Sequence, residues 1–291
     1  MNFDDETLNL IVSRVVSALA EQAPPSLASK PCGADEGHAC TADPRPVHAV
    51  DAPMLPAMLP RLVAQTSSQI AVGRAGNRFK TDLYLRAREG HADARDAVHG
   101  RVPPDWATQN GLVALKTRCS DRREYLLFPN LGRRLDALSA ATVAARGVVA
   151  PDVQLIVGDG LSPNAIVENG RATLEALRGA FAAAGLRTGV DYYVEYARIA
   201  VADEIGVMSQ ARATVILVGE RPGLGTGDSL SVYLAVNPKL GQDNAEKNCI
   251  SNVRPIGITP AEAASLSVAI VKRGFETGVG GVALGLGWGR Q

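Results

Sequence analysis

Two stretches decide the fold: VQLIVGDGLSPNAI at 153–166 and TVILVGERPGLGTGDSLSVYL at 214–234. Each begins with a short apolar run, Val153–Val157 and Thr214–Val218, that ends in a glycine-bearing loop. A short apolar run without alternation, closed by a turn, fits a strand buried on both faces. After the first loop, Ser162 and Pro163 mark a helix start, a capping residue before a first-turn proline. Leu174, Leu177 and Phe181 then share one helical face up to Gly185. Residues 191–199 read as a strand, 204–211 as a short helix and 231–236 as a third short apolar segment. Thr259-Pro260-Ala261-Glu262 has the form of a capping box and opens a last helix, with Ala264, Leu266, Ala269 and Ile270 in its apolar stripe. Strands alternating with helices predict an α/β domain over 151–291, with a largely parallel sheet covered on both faces.

Upstream of that domain the periodicity changes. Residues 58–150 read as mainly helical. Leu59, Leu62, Val63 and Ile70 share one face, GRAGNRF (73–79) is a glycine-broken turn, and Thr81 opens a helix that continues or restarts through Val98. Short strands are expected at 111–116 and 125–128, and an Ala-rich helix at 135–145. Arg74, Arg78, Arg86, Arg88 and Arg95 read as solvated helix faces. Residues 21–57 form a Pro/Ala-rich linker, flexible because it has too little apolar surface to offset its ordering entropy. Residues 1–20 form an amphipathic helix with Leu8, Ile11, Val12, Val15, Val16 and Leu19 on one face. Such a helix is marginal alone and needs a partner, either its own globular body or another protein.

Composition narrows the function. The chain has 291 residues, 30 Lys+Arg and 30 Asp+Glu, for a formal net charge of zero. That argues against a global basic field for nucleic acid, and 4% aromatic residues argue against a base-stacking surface. No apolar run approaches the ~20 residues of a membrane span. The acidic opening MNFDDETLNL is wrong for a secretory signal. Cys32, Cys40, Cys119 and Cys249 are scattered without a C-x-x-C pair, which fits a reduced, cytoplasmic setting. Cys32, His38, Cys40 and His48 match no common zinc-finger spacing.

In a parallel sheet, ligands bind beyond the carboxyl ends of the strands. The loops 157–165 and 218–227 occupy such ends, and their glycines would let backbone N–H groups approach a large or anionic ligand. Neither loop is G-x-G-x-x-G or a P-loop. GVGGVALGLG (278–287) lacks a following βαβ unit. Asp159, Glu220 and Asp228 are acids in or near these loops, readable as hydrolase acids or as hydrogen-bond acceptors. Cys249 has no histidine within the α/β part, which disfavours a Cys–His hydrolase and leaves a buried inert thiol or a ligand contact.

Several longer strings carry a resemblance. VQLIVGDGLSPNAI, TVILVGERPGLGTGDSLSVYL and NCISNVRPIG, with the earlier GRAGNRFKT and LGRRLD, closely resemble the small (light) subunit of ethanolamine ammonia-lyase from about residue 60 to 275. GERPGLG with SLS and then CISN at this spacing is long and specific. The stretch GGVALGLGWGRQ lies outside the resemblance.

The resemblance implies a Rossmann-like cobalamin-binding fold for 151–291 and an interface region with the large subunit at 58–150. It implies a two-subunit lyase that converts ethanolamine to acetaldehyde and ammonia with adenosylcobalamin. This chain alone is then inactive, with no catalytic residues and no metal ligand of its own, and the radical chemistry lies in the large subunit. By motif, Ile199, Glu220 and Cys249 are carried over as cofactor-binding positions; Ile199 stands where another β-branched residue is common. Asp-x-His-x-x-Gly is absent, and Asp96 stands three before His99. That agrees with cobalt keeping its own dimethylbenzimidazole. The helix at 1–20 then reads as a tag for a bacterial microcompartment shell protein. The rival readings are a stand-alone α/β hydrolase and a non-catalytic scaffold subunit.

Overall fold

The computed structural model describes residues 50–63, 70–146 and 150–285. The helix expected at 1–20, almost all of the linker and the candidate zinc residues lie outside them. All described residues belong to one compact unit, 45–291.

In chain order the elements begin with helix α1 (Met58–Val63), the two-residue strands β1 (Arg74–Ala75) and β2 (Arg78–Phe79), and helix α2 (Thr81–His99). The glycine-broken turn is thus a tiny antiparallel hairpin, and the helix expected from Thr81 runs unbroken to His99. Next come α3 (Trp106–Gln109), β3 (Val113–Lys116), α4 (Arg122–Leu127) and α5 (Ala137–Ala145). The strand expected at 125–128 is instead α4. Asp121 accepts from the Glu124 N–H at 2.8 Å, and the Glu124 carboxylate accepts from the Ser120 N–H at 2.6 Å. This local capping outweighs the β-propensity of Tyr125 and Phe128.

The α/β part follows: β4 (Val153–Gly158), α6 (Pro163–Ala165), a π-helical turn (Ile166–Gly170), α7 (Arg171–Ala183), β5 (Tyr192–Glu195) and α8 (Val201–Ser209). It continues with β6 (Ala213–Gly219), β7 (Leu230–Val236), β8 (Lys247–Val253), α9 (Pro260–Thr277) and α10 (Val282–Gly285). The expected capping box is present: Thr259 and Glu262 exchange bonds at the start of α9. Ser162 precedes Pro163 as expected, but its hydroxyl donates to the Gly227 carbonyl rather than capping α6.

Six strands form one sheet in the order β3-β5-β4-β6-β7-β8. β3, β5, β4 and β6 are parallel; β7 and β8 add antiparallel. The sheet is thus largely parallel, as the apolar runs predict, with an antiparallel flank. NCISN proves to be strand. β3 lies within the stretch read as mainly helical, yet it supplies the opposite edge.

Alternation assigns the two faces. Val153, Leu155 and Val157 of β4 and Val215 and Leu217 of β6 pack with Leu174, Leu177 and Phe181 of α7 and with α9. Ile156 and Ile216 point the other way, against Val201 and Ile205 of α8 and Val143 of α5. Each fully buried Leu, Ile or Phe contributes about 1.5–3 kcal/mol of transfer free energy, so the strands that read most apolar form the centre of the core.

Candidate functional site

The parallel strands direct their carboxyl ends to one side, and a cavity of about 890 Å³ lies there. Its wall comes from the turn after β5 (Ala197–Ala200), the end of β6 (Val218–Arg221), β7 (Ser231, Tyr233) and β8 (Cys249, Ser251). The 240–244 loop and residues 129–134 complete it. Ile199, Glu220 and Cys249, far apart in sequence, all line this one cavity. Ile199 is half-buried and packs against the α8 side of the core.

Glu220 follows β6 directly. Its carboxylate accepts from the Ser229 hydroxyl at 2.7 Å, the Ser231 hydroxyl at 2.5 Å and the Asn252 N–H at 2.9 Å. The third bond comes from a β-bulge. Between the pairs Leu230↔Val253 and Val232↔Ile250, β8 has two residues opposite one of β7. Asn252 there adopts φ 60°, a left-handed conformation that asparagine tolerates. A carboxylate offers about four lone-pair sites, so this chain uses most of them.

Cys249 pairs with Tyr233 across β7 and β8. It is exposed, not buried, so the inert-core reading fails. Its Sγ lies 3.8 Å from the Ser231 hydroxyl. Burial, with a contribution from Cys249, pushes the Tyr233 phenol up to about 12, so it stays a neutral donor at neutral pH.

Asp159 lies deeper. It is 3% exposed, and burial raises its carboxyl to about 6 against the opposing pull of Arg122. Its Oδ1 accepts from the Ala197 N–H at 2.9 Å, and Arg122 Nη1 stands 3.6 Å from Oδ2. Asp228 pairs with Arg254 at 3.0 Å. Each candidate hydrolase acid is therefore engaged by its own partners.

The glycines of the two loops serve packing. A Cβ on Gly160 would come within 2.4 Å of the Gly219 carbonyl, and one on Gly219 within 2.0 Å of the Ser162 carbonyl. The loops press backbone to backbone, and the Leu161 N–H donates to the Gly219 carbonyl at 3.0 Å.

The wall suits a large ligand fringed with amides. It mixes Ile199, Val218 and Leu240 with the polar tips of Ser231, Gln242 and Asn244. Gln242 is buried; its side-chain amide donates to the Val236 carbonyl at 3.4 Å, and its side-chain carbonyl has no hydrogen-bond partner among the described residues. Arg133, Arg134, Arg198 and Arg221 add positive charge to the same wall. Sequence reasoning missed Tyr233, Gln242 and these arginines, although Arg133 and Arg134 of LGRRLD and Arg221 and Tyr233 of the 214–234 stretch stand inside strings already singled out. No group of three His, Cys, Asp or Glu among the described residues is placed to hold a metal ion. No helix there is long and apolar enough to cross a membrane.

Of the strings that carry the sequence resemblance, all but GRAGNRFKT, which forms the β1–β2 hairpin, contribute residues to the cavity wall. Residues 57–285, most of the chain, match the family model of the ethanolamine ammonia-lyase light chain (EutC), and the chain belongs to that family.

Proposed function

We propose that this chain is the cobalamin-binding light subunit of a two-subunit, adenosylcobalamin-dependent ethanolamine ammonia-lyase. In this reading the cavity at the carboxyl ends of the sheet takes one side of the corrin, within a Rossmann-like domain. The large subunit closes the other side and converts ethanolamine to acetaldehyde and ammonia. The observation that carries the reading is the convergence of Ile199, Glu220 and Cys249 on a single cavity in a light-chain family member.

When bound, adenosylcobalamin supplies an organic radical through homolysis of its cobalt–carbon bond. The work of this chain is binding and positioning. Ile199 offers an apolar surface to a ring face. Glu220 fixes Ser229, Ser231 and the bulged backbone at Asn252, and keeps a lone-pair site for an amide N–H. Cys249 and Tyr233 form the adjoining wall, and the arginine-bearing rim suits an anionic group such as a phosphodiester. Together with the partner they exclude water, which strengthens each polar contact inside. This chain carries no Asp-x-His-x-x-Gly motif, so it would offer no histidine from such a motif in place of a cobalamin's own dimethylbenzimidazole.

Residues 58–150 serve as the region facing the large subunit, and residues 1–20 as a helical tag that docks a microcompartment shell protein in the cytoplasm. The hydrolase reading gains nothing from the separately engaged acids.

The test is reconstitution. The chain alone is inactive with adenosylcobalamin and ethanolamine, and the mixture with the large subunit is active only when cobalamin is present. Activity in the isolated chain, or activity without cobalamin, overturns the proposal. Deleting residues 1–20 leaves the complex active and abolishes co-localisation with shell protein; retained co-localisation rules the tag out.

A further inference from the structure

The turn that brings Ile199 to the cavity is built in an unusual way. β5 ends at Glu195, and the next residue, Tyr196, has φ 58°. A left-handed conformation is costly for a bulky aromatic residue, on the order of 1–2 kcal/mol. It persists only where surrounding contacts over-determine it.

Those contacts are present. The Thr117 hydroxyl donates to the Tyr196 carbonyl at 3.0 Å, and the Tyr125 hydroxyl donates to the Ala197 carbonyl at 3.1 Å. The Arg198 N–H donates to the Gly132 carbonyl at 2.8 Å. The Ala197 N–H donates to Asp159 Oδ1 at 2.9 Å, and the neighbouring Tyr196 N–H also favours the charged form of that carboxylate. Successive N–H groups around a left-handed residue form a small anion-binding concavity, and here the anion is a side chain of the same protein.

Arg122 sets the height of that side chain. The guanidinium donates to the carbonyls of Val98 at 2.7 Å, Gly160 at 2.7 Å and Leu161 at 2.9 Å. Three of its N–H groups are thus used on the backbone of α2 and of the loop after β4. Its charge faces Asp159 without a direct hydrogen bond.

We propose that Asp159 is the positioning residue of the cofactor wall: its buried carboxylate grips the Tyr196–Ala197 backbone and so fixes Ile199 against the ligand without touching it. The inference rests on the reading of the cavity as a cobalamin site. It adds a residue that the carried-over motif does not contain, one that acts through the turn.

The grip is stronger with the ionised carboxylate than with the neutral acid, and the surrounding charges decide when that form exists. From α4, Arg122 favours it, while Tyr125 stays neutral because burial pushes its phenol far up. From β5, Glu195 disfavours it, and Tyr193 and Tyr196 are neutral, both pushed up by burial. Arg198 on the turn and Cys119 before α4, its thiol raised by burial, complete the surroundings. The balance leaves Asp159 titrating at about 6. Cofactor affinity is therefore expected to fall on acidification through that range.

The test uses the assembled two-subunit complex and equilibrium dialysis of cyanocobalamin, an analogue that binds without turnover. Between about pH 7.5 and about pH 5 the wild-type complex should lose about three- to tenfold in affinity, the scale of one hydrogen bond weakened by loss of charge. Asp159→Asn should bind at pH 7.5 as weakly as wild type at pH 5 and show no pH limb. Glu195→Gln, a change at a half-exposed side chain, should move the wild-type midpoint downward by removing a like charge. It decides the matter if Asp159→Asn does not assemble. A flat wild-type profile, a limb that survives Asp159→Asn, or a midpoint unmoved by Glu195→Gln each overturns the proposal. Wild-type complex that binds no cyanocobalamin at any pH overturns the cobalamin reading itself, a result separable from the other three.

Discussion

At Glu220, two carboxylate oxygens meet three donors of the same chain. Glu220→Ala therefore does more than delete the proposed cofactor contact. It strips the buried hydroxyls of Ser229 and Ser231 of their acceptor and releases the bulge at Asn252. Leaving buried donors unsatisfied costs about 1–3 kcal/mol. The variant should show a lowered denaturation midpoint in the isolated chain, and in the complex about three- to tenfold more cobalamin at half-saturation. Glu220→Gln, which keeps acceptor capacity on one oxygen, should fall between. Unchanged half-saturation in Glu220→Ala would remove Glu220 from the site. Cys249 makes a second case. Exposed on the cavity wall, it should react with iodoacetamide well before Cys119, which is buried with its thiol pushed up. Peptide mapping by mass spectrometry reads the order. Cobalamin bound in the assembled complex should protect Cys249, and equal alkylation with and without cobalamin would place the ligand elsewhere.

Among the elements, α8 and β8 are joined by the most deeply buried ion pair. Lys247 Nζ lies 2.7 Å from Asp203 Oδ2, with side-chain exposures of 2% and 1%. Burial raises the Asp203 carboxyl, and Lys247 pulls it back. Lys247 also donates to the Gln242 carbonyl at 3.3 Å, which anchors the loop that lines the cavity. Lys247→Met leaves Asp203 buried without its cation and should cost about 3–5 kcal/mol. The double variant Asp203→Leu/Lys247→Met should recover most of that, as a double-mutant cycle in urea would record. Equal destabilisation in the single and double variants would mean that α8 and β8 are held by something other than the pair.

At this scale the sequence was read well where one signal dominated. Val153–Val157 and Thr214–Val218 announce buried strands, and Thr259 with Glu262 announces a helix start. It was read less well where capping or pairing partners decide. The Asp121–Glu124 cap turns Tyr125–Phe128 away from strand, and NCISN becomes β8 only because β7 lies beside it. Ile199, Glu220 and Cys249 were legible as motif positions. Their convergence depends on crossovers that bring the ends of β5 and β6 to either side of β4, which no local pattern encodes. Gln242 escaped because a buried, unsatisfied acceptor has no sequence signature, and Asp159 stands out in the sequence only as a loop acid, because nothing local encodes a carboxylate that accepts from the Ala197 backbone.

For the whole molecule, Asp159 ties function to pH-dependent stability. Its folded value of about 6 lies above the ordinary value of 3.8. Between these pH values the folded chain keeps a proton that the unfolded chain has released. The contribution of this group is thus fully present below about pH 4 and is lost as pH rises through about 6. In chemical denaturation, wild type should lose stability relative to Asp159→Asn over that interval, and the difference should level off above it. A difference that grows in favour of wild type over the same interval would mean that the native carboxyl is depressed instead. The neutral-pH molecule thus carries a strained charge where its cavity wall is fixed, a trade found at functional sites.

The position of β3 has a further consequence for how the protein comes into being. β3 pairs with β5 across the intervening β4 of the sequence, whereas β7 pairs with both of its sequence neighbours, β6 and β8. During synthesis from the N-terminus, β3 leaves the ribosome early and waits for its edge to be matched, while the C-terminal meander can pair as it emerges. Contacts between distant segments close slowly because they carry the larger loop-closure entropy. The Thr117–Tyr196 bond joins those same distant segments. The cavity wall is therefore finished only when the late-made half returns to the early-made one, so that its formation reports completion of the whole sheet.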